Sequence, residues 1–477
     1  MSNTSQITLL LNDELVTADL PPGLVALDFL RKHRQLTGSK EGCKEGDCGA
    51  CTAIVGTLEG EDVNYQPMTS CLLPMGELHG KHLVSIEGLN MSQLSPVQAA
   101  MVDCGGTQCG YCTPGFIVAM TAGLMDPGLP LDAKGCERAI SGNLCRCTGY
   151  RSIKQAGADA IRTLSPMLAG KPRIEALCQA NALPDSFRTV ATKLKSIKND
   201  SPSSPSFSPP FVAGGTDLYV QQGETLPEKP VQLLNRKPPL EPQFFDGALR
   251  LDARMSFEAF ARHPLVQEAI PEILSYNDQI ASWPIRTRAT LAGNICNASP
   301  IADLTCLLLA LEAELILQGP DGQRAVPLNR FYLGYKKLAK RAEEIVSHIS
   351  FPKPDPDTKV HWEKVSKRRV LDIATVNAAI KIKVVSNEIR DVHLALGGVA
   401  PIPLYLAKTS KFLRGKRLEL PVVLQALELA QSEFDPISDV RGSGDYKRLL
   451  ARQLLLANLT RLFPETLNSD RIHAALR

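Results

Sequence analysis

Eight cysteines of this sequence fall into two sets of four whose spacing is that of metal ligands. The first set is Cys43, Cys48, Cys51 and Cys71, and the second set is Cys109, Cys112, Cys145 and Cys147. Both sets lie in one stretch of the chain, which carries ten of its thirteen cysteines. Four thiolates that converge on one point can complete the coordination of a metal centre, so each set predicts a metal site.

The spacing of the first set favours an iron–sulfur site. Its cysteines follow the pattern C-x4-C-x2-C, with the fourth cysteine 20 residues further on. Plant-type ferredoxins hold a [2Fe–2S] cluster with this spacing, because each iron needs two protein sulfurs beside the bridging sulfides. Gly42, Gly46 and Gly49 lie in the same loop. Glycine there permits the backbone angles that turn three cysteines toward one point.

Two other uses of the cysteines remain open at this stage. Four thiolates also suit a structural zinc ion, and for the second set spacing alone leaves zinc competitive with iron. A disulfide framework is typical of small secreted domains, whereas this chain has 477 residues and crowds its cysteines together. The cysteines outside both sets are predicted to be buried small apolar residues: Cys104, Cys136, Cys178, Cys296 and Cys306.

The elements around the two sets differ in their hydrophobic period. Residues 7–16 alternate like a hairpin and Thr52–Val55 reads as a strand, which predicts a β-rich unit around the first set. Ser95-Pro96 and Thr113-Pro114 then mark helix starts, and further helices are predicted over 133–140 and from about Tyr150. The second set therefore lies in the loops between two helical hairpins, which brings its two pairs opposite each other.

Two motifs carry a resemblance to a known family. CGYCTPGFIVAM (109–120) and GNLCRCTGYRSI (142–153) closely resemble the helical iron–sulfur domain of the molybdenum hydroxylases, the xanthine dehydrogenase family. KEGCKEGDCGACT (40–52) is similar to that family's ferredoxin-type loop. The resemblance implies a [2Fe–2S] cluster at each set, with zinc a minor alternative at the second. It also implies that Gln108 lies against the pterin of the molybdenum cofactor, the alternative being an ordinary buried amide.

A glycine-rich turn further along the chain suggests a nucleotide site. In FVAGGTDL (211–218) an apolar strand runs into two glycines and a predicted helix, and backbone N–H groups in such a turn can hold phosphate. No G-x-G-x-x-G follows a strand, which argues against a Rossmann site. This segment and IRTRATLAGN (285–294), with the residues after it, resemble the FAD-binding segments of the same family, whose fold is that of vanillyl-alcohol oxidase.

The resemblance implies a set of FAD-binding residues by position: Phe211, Val212, Ala213, Gly214, Gly215, Thr216, Asp217, Leu218, Thr290, Gly293, Asn294 and Asp303. Lys364 and Val346 align with further FAD contacts of the family. Many relatives carry glycine where this chain has Ala292, and animal relatives place an aromatic ring over the flavin where this chain has Ile280. Trp283 is near that position, but a role in the core is its alternative.

The implied fold class is an α+β multidomain chain with five segments. They are a β-grasp [2Fe–2S] ferredoxin domain (1–88), a four-helix [2Fe–2S] domain (89–165), a linker rich in proline and serine (166–210), a vanillyl-alcohol-oxidase-type FAD-binding domain (211–355) and an α+β C-terminal flavoprotein domain (356–477). The net charge of +3 indicates neither nucleic acid nor a membrane surface as a partner. No signal or spanning segment is recognised, and the free thiols indicate a reducing, cytoplasmic compartment.

The resemblance covers nearly the whole chain and implies electron transfer. It implies that a purine, hypoxanthine or xanthine, is hydroxylated at a molybdopterin site on a large partner subunit. Electrons pass through both clusters to FAD and then to NAD, in an expected heterotetramer of two small and two large chains. No triad or paired carboxylates are found, so no catalytic residue is predicted. The alternatives are a subunit of another molybdenum hydroxylase, acting on an aldehyde or an N-heterocycle, and a stand-alone iron–sulfur flavoprotein reductase.

Overall fold

The computed structural model describes residues 4–197 and 207–468. The chain divides into two compact units, and each is made from two stretches of sequence. The first unit comprises Met1–Lys237 and Ala281–Ala289, and the second comprises Pro238–Ile280 and Thr290–Arg477. Among the described helices, none combines the length and the apolar character needed to cross a bilayer.

The strands are, in chain order, β1 (Ser5–Leu11), β2 (Glu14–Leu20), β3 (Thr52–Glu59), β4 (Asp62–Thr69), β5 (His82–Val84), β6 (Phe211–Val212), β7 (Gln232–Leu233), β8 (Gln243–Phe245), β9 (Ala248–Asp252), β10 (Glu314–Gly319), β11 (Gly322–Pro327), β12 (Tyr332–Gly334), β13 (Lys337–Leu338), β14 (Ile345–Pro352), β15 (Thr358–Val365), β16 (Val376–Val385), β17 (Glu388–Gly397) and β18 (Leu404–Tyr405). The helices are α1 (Ala26–Asp28), α2 (Pro96–Asp103), α3 (Thr113–Met125), α4 (Ala133–Ala139), α5 (Arg151–Leu168), α6 (Arg173–Gln179), α7 (Val190–Lys195), α8 (Leu218–Gln222), α9 (Phe257–Arg262), α10 (Pro264–Ala269), α11 (Ile273–Asn277), α12 (Trp283–Arg286), α13 (Leu291–Asn297), α14 (Asp303–Ala310), α15 (Ala407–Leu413), α16 (Leu420–Gln431) and α17 (Gly444–Leu462).

The first unit begins with a β-grasp sheet of five strands in the order β2-β1-β5-β3-β4. β1 pairs with β5 in parallel, and the other pairs are antiparallel. Alternate residues of β1, namely Ile7, Leu9 and Leu11, are buried in a core with Phe29 and Leu30 of the helical segment that follows β2. This alternation is the period-2 pattern of a strand with one buried face, so the β-rich prediction for this region is confirmed.

Four helices, α2 to α5, follow the sheet, as predicted. α2 begins with a capping box: the Gln98 N–H donates to Ser95 Oγ at 3.3 Å, and the Ser95 N–H donates to Gln98 Oε1 at 2.8 Å. α3 is apolar on all sides and carries Phe116 fully buried in the shared core. α5 is amphipathic and buries Ile153 and Leu164 at helical spacing. The helix starts read from Ser-Pro and Thr-Pro therefore lie where the sequence places them.

Replacing Ser95 by alanine is expected to destabilise the first unit by about 1 kcal/mol, because the Gln98 N–H then loses its acceptor. Denaturant unfolding followed by circular dichroism measures the loss. Ser275, an exposed serine in α11, is the matched control, and Ser275→Ala should change stability by less than about 0.5 kcal/mol. Equal effects of the two changes would contradict a role for the cap.

The segment 166–210, predicted to be a linker, contains two helices, α6 and α7. Phe187, between them, packs with its ring centroid 5.6 Å from that of Tyr65 and 5.3 Å from that of His82. Val190 and Leu194 of α7 form a small core with Leu10 of β1. These apolar residues at helical spacing anchor the segment, although proline and serine dominate its end. That end, 198–206, lies outside the described residues, and the boundaries of the predicted domains stay predictions.

The second unit contains two larger sheets besides the two-stranded pair β12-β13. One has the order β11-β10-β14-β9-β8, and the other, wholly antiparallel, has the order β15-β16-β17-β18. The long strands β16 and β17 form a core with α15, α16 and α17, in which Ile380, Leu394 and Leu455 are buried. The alternating residues of 378–385 and 390–396 lie in β16 and β17, and the segments 418–429 and 446–461, whose sequences look helical, largely coincide with α16 and α17.

Candidate functional site

The structure brings the first cysteine set together as two pairs of sulfurs. Cys51 Sγ and Cys71 Sγ are 3.4 Å apart, and the thiols of Cys43 and Cys48 are hydrogen-bonded to each other. The backbone N–H groups of Glu45 and Cys48 donate to Cys43 Sγ at 3.3 and 3.4 Å. Two sulfur pairs, three of whose cysteines come from the loop and the fourth, Cys71, from the turn after β4, match the needs of two irons, each of which takes two protein thiolates.

Hydrogen bonding within each pair of the first set lowers the pKa of one of its two thiols. The hydrogen bond from Cys48 lowers the pKa of Cys43 to about 5, and burial opposes this shift. The hydrogen bond between Cys51 and Cys71 likewise lowers the pKa of Cys51, while the pKa values of Cys48 and Cys71 are raised. A metal centre binds thiolates and releases the protons of its ligands, so one sulfur of each pair is already suited to it.

The first set is enclosed on its inner side. Cys51 and Cys71 are buried, and they share an apolar cluster with Val212 and Tyr219 of the segment that contains the glycine turn. The loop itself is covered as well. A Cβ on Gly46, whose φ is +80°, would lie 2.5 Å from Ile285 Cδ1. Only glycine therefore fits between the loop and the side chain that covers it.

The second set also forms two pairs, at the start of α3 and in the loop before α5. The hydrogen-bonded pairs are Cys112 with Cys145 and Cys109 with Cys147. Burial raises the pKa of Cys112 to about 12. Burial also acts on Cys145, but hydrogen bonds from Thr148 outweigh it and lower the pKa of that thiol; Thr148 Oγ1 lies 3.2 Å from the sulfur. The donor set again fits a [2Fe–2S] cluster.

The outer edge of the second set is open to solvent. Cys109 and Cys147 are exposed, in contrast to the buried pair of the first set. Gln108 is exposed too, so the alternative of a buried amide is wrong in this structure. Tyr111 and Leu144 are 49% and 37% exposed beside the same cysteines. The second site thus presents an edge with exposed apolar groups to whatever lies outside this chain.

The glycine segment has the predicted local structure. Phe211 and Val212 form the short strand β6, which pairs in parallel with β7, and α8 starts at Leu218. Gly215 has a φ of +72°. A Cβ on Gly214 would lie 2.1 Å from the carbonyl oxygen of Arg288. Gly214 is therefore required by the packing of its own chain, so a bulky residue at 214 would disrupt the fold whether or not phosphate binds there.

The predicted flavin residues of the second unit are linked by hydrogen bonds. Thr290 Oγ1 caps α13 by accepting from the Gly293 N–H at 3.0 Å, and Asn294 Oδ1 accepts from Thr305 at 2.9 Å. Asp303, at the first residue of α14, forms a salt bridge of 3.1 Å with Lys364. These contacts connect α13, α14 and β15, so the residues are positioned as a group.

Asp303 and Lys364 are both largely withdrawn from solvent, with side chains 10% and 1% exposed. Burial raises the pKa of Asp303, and Lys364 and Asn377 oppose the shift; the Asn377 amide donates to Asp303 at 2.7 Å. Lys364 thus differs from the exposed Lys367, Arg368 and Arg369 of the same charged run. In the structure, Lys364 balances the charge of the Asp303 carboxylate.

The residues predicted to bind FAD are divided between the two units. Those of 211–218 belong to the first unit, whereas Thr290, Gly293, Asn294, Asp303, Val346 and Lys364 belong to the second. Val346 is buried in β14, opposite Leu317 of β10. Within the second unit a Cβ on Gly293 would crowd a single side-chain atom, Thr290 Oγ1 at 2.9 Å, whereas a Cβ on Gly214 would meet backbone. The binding roles of all these residues stay predictions.

Gly293→Ala therefore offers a cleaner flavin test than a change at Gly214. The added methyl group should block close approach of a bound dinucleotide and weaken FAD binding by about tenfold. Alanine is favoured over glycine inside a helix by about 0.5–1 kcal/mol, but its Cβ would lie 2.9 Å from the capping Thr290 Oγ1, so the stability of the variant is measured beside its flavin affinity. Flavin fluorescence titration measures affinity, and thermal unfolding checks the fold. Gly319→Ala, at the end of β10, is the control, and equal flavin affinity in all three proteins would contradict the assignment.

Several residues that the sequence left unassigned are settled by burial. Trp283 is 1% exposed and belongs to the core of the helical domain, and Ile280 is also buried. Of the cysteines outside both sets, Cys136, Cys178 and Cys306 are buried as predicted. Cys104 and Cys296 are only half-buried, so the prediction is wrong for these two. The thiol of the half-buried Cys104 donates a hydrogen bond to Asp159 Oδ2 at 3.3 Å.

Three stretches of the sequence match described domain families. Residues 85–158 match a [2Fe-2S] binding domain, residues 188–354 match the FAD binding domain in molybdopterin dehydrogenase, and residues 363–462 match the CO dehydrogenase flavoprotein C-terminal domain. Iron–sulfur and FAD-binding domains are therefore present, and the α+β multidomain fold class is confirmed.

The chain is similar to parts of longer proteins. Xanthine dehydrogenase 1 of Arabidopsis thaliana is 30% identical, over 89% of this chain and 37% of that protein. Xanthine dehydrogenase of Blastobotrys adeninivorans is 28% identical, over 94% of this chain and 40% of its own length. Aldehyde oxidase 4 of Rattus norvegicus is 26% identical, over 95% and 39%. The chain thus spans less than half the length of these relatives.

Among solved structures, one chain of carbon monoxide dehydrogenase from Hydrogenophaga pseudoflava aligns with a TM-score of 0.49 and 26% identity, over 53% of this chain and 88% of that one. A chain of quinoline 2-oxidoreductase from Pseudomonas putida 86 aligns with a TM-score of 0.48 and 23% identity, over 54% and 90%.

Proposed function

Because this chain carries the iron–sulfur and flavin domains of the molybdenum hydroxylase family, we propose that it is an electron-transfer subunit of such an enzyme. Electrons come from a molybdenum-binding partner chain, and they leave through FAD to an acceptor. Sulfur pairs at both cysteine sets supply the ligands for two [2Fe–2S] clusters. The clusters and the flavin supply the redox chemistry, and the residues of the chain hold, separate and shield them.

The single observation that carries this proposal is the difference in exposure between the two cysteine sets. Cys109 and Cys147 of the second set are exposed, whereas Cys51 and Cys71 of the first set are buried. The buried pair shares an apolar cluster with Val212, which leads into the glycine turn. This order supports a route in which electrons enter at the open second site, reach the first site, whose Cys51 and Cys71 are buried, and continue to the flavin segment.

The partner is expected at the open edge of the second site. Gln108 would lie beside the pterin of the partner's molybdenum cofactor, and the exposed Tyr111 and Leu144 would be covered by the large subunit. Two small and two large chains would form the assembled enzyme. Substrate oxidation is assigned to the partner, because the domains matched in this chain are iron–sulfur and flavin domains.

For the substrate we favour a purine, hypoxanthine or xanthine, with NAD as acceptor, which makes the chain a xanthine dehydrogenase small subunit. The support is the similarity to xanthine dehydrogenases at 30% and 28% identity over most of this chain. An aldehyde is the second candidate, because an aldehyde oxidase is 26% identical over 95% of the chain. The substrate is set by the partner's pocket, so this chain alone does not discriminate between the two.

Purification of the native complex, with metal and flavin analysis and a substrate screen, tests the proposal. The isolated chain should reduce an artificial dye with NADH but should not oxidise xanthine. With its large subunit, xanthine should reduce both clusters and FAD. Xanthine oxidation by this chain alone, free of molybdenum, would contradict the division of labour. If the complex accepts aldehydes and ignores purines, the relay stands and the purine assignment is wrong.

Replacing Gln108 by alanine should slow reduction of the clusters by substrate in the complex and leave the NADH–dye reaction of the isolated chain unchanged. Stopped-flow absorbance follows both reactions. Gln155→Ala, at another exposed glutamine of the helical domain, is the matched control. Equal cluster reduction rates in the two variants and the unaltered protein would remove Gln108 from the proposed contact.

A further inference from the structure

The loops that hold the two cysteine sets are joined by two direct hydrogen bonds. The backbone N–H of Leu144 donates to the carbonyl oxygen of Cys48 at 2.9 Å. The side-chain amide of Asn143 donates to the carbonyl oxygen of Gly49 at 3.0 Å. Cys48 is a ligand of the first set, and Leu144 immediately precedes Cys145 of the second set. The Leu144–Cys48 hydrogen bond and the peptide bond between Leu144 and Cys145 therefore link a cysteine of each set.

Close packing holds these bonds in place. A Cβ on Gly49, whose φ is +66°, would lie 2.5 Å from the carbonyl oxygen of Gly142 and 2.6 Å from Asn143 Nδ2. A Cβ on Gly115, in α3, would lie 2.3 Å from the carbonyl oxygen of Gly49. Gly49 therefore lets the two loops touch, and Gly115 lets α3 pack against the backbone of the first loop.

The side chain of Asn143 is held for this one bond. It is 4% exposed, and Asn143 Oδ1 is buried with no hydrogen-bond partner among the described residues. A buried amide that leaves its oxygen unsatisfied costs free energy. An apolar side chain would fill this space without that cost. The contribution specific to asparagine is the hydrogen bond from its side-chain amide to the carbonyl oxygen of Gly49.

We propose that Asn143, with the Leu144 amide, couples the two iron–sulfur sites, so that it sets the potential of the first site and the rate of electron transfer between them. This inference rests on the proposed function. Hydrogen bonds and dipoles around a cluster tune its potential. The Asn143 amide donates to the carbonyl oxygen of Gly49, next to Cys48, so its positive end would favour the reduced state of the first site, and the Leu144–Cys48 hydrogen bond would shorten the path between Cys145 and Cys48.

Asn143→Ala tests the proposal by EPR-monitored redox titration of the full chain. Both cluster signals should remain, the potential of the first site should become more negative and that of the second should change less. Asn143→Asp has nearly the same shape but cannot donate when ionised, so it should lower the first potential further. Freeze-quench EPR after mixing with dithionite should show the first-site signal following the second at least fivefold more slowly than in the unaltered chain.

Gln98→Ala is the matched control, because it removes another buried amide of the helical domain at the start of α2. It should leave both potentials and the transfer rate unchanged. Unchanged potentials and rates in both Asn143 variants would overturn the coupling role. So would loss of iron from both variants with full iron in Gln98→Ala, since Asn143 would then only hold the loops together. Absence of two iron signals from the unaltered chain would instead contradict the proposed function.

Discussion

Cys48→Ser and Cys145→Ser should each remove one of two EPR signals from the reduced protein and lower its iron content by about half. Each change deletes a ligand from a different sulfur pair, Cys43 with Cys48 in the first set and Cys112 with Cys145 in the second. The signal of the other set should persist, because each set has its own four thiols. Iron analysis, acid-labile sulfide and EPR of the dithionite-reduced chain measure these outcomes.

Cys178→Ser is the control for this pair of variants. Cys178 is buried, and its thiol donates to the carbonyl oxygen of Pro184 at 3.4 Å, away from both sets. Its replacement should leave both signals and the full iron content. A single iron signal in the unaltered protein, or zinc in a fixed ratio to protein, would remove the relay. Zinc confined to the second set would revive the alternative that spacing alone left open there.

Arg288→Met should destabilise the first unit by about 3–5 kcal/mol, because it leaves a buried carboxylate without its partner. Arg288 Nη1 lies 3.0 Å from Glu77 Oε2, and the two side chains are 2% and 4% exposed. Arg288 Nη2 also donates to the carbonyl oxygen of Gly214 at 2.6 Å. One guanidinium therefore joins the β-grasp domain to the glycine turn. Denaturant unfolding of the two proteins measures the loss.

The double variant Glu77→Met, Arg288→Met completes a thermodynamic cycle. Removing both charges avoids an unpaired buried ion, so the double variant should be more stable than Arg288→Met alone. It should still bind FAD less well than the unaltered chain, since the Gly214 carbonyl loses its donor. Additive losses from the two single changes would show that the pair is not coupled, contrary to the contact seen in the structure.

Sequence reasoning located the features whose causes are local. The cysteine sets are visible because ligand spacing within a loop is fixed by the loop itself, and Ser95-Pro96 reveals a helix start because its capping bonds are made within four residues. The strand, turn and helix around Gly214 follow from the same short-range rules.

Features with long-range causes were missed. Asn377 bonds to Asp303 from a distant strand, and Arg288 pairs with Glu77 across 211 residues of sequence. Asn143 lies inside a recognised motif, but its partner Gly49 is 94 residues away. The sequence pattern around a buried polar residue does not indicate which distant residue will be its hydrogen-bond partner. The helices in the predicted linker were missed for another reason, because the neighbouring proline- and serine-rich stretch dominated the composition.

The cover over the first cysteine loop also has a consequence for how the protein is made. Ile285, which lies against Gly46, follows the last cysteine of that set by more than two hundred residues of chain. We therefore expect iron and sulfide to reach Cys51 and Cys71 most readily before residues 281–289 pack against the loop, whereas Cys109 and Cys147 are exposed in the folded chain. On this expectation the inner site is filled before the outer one.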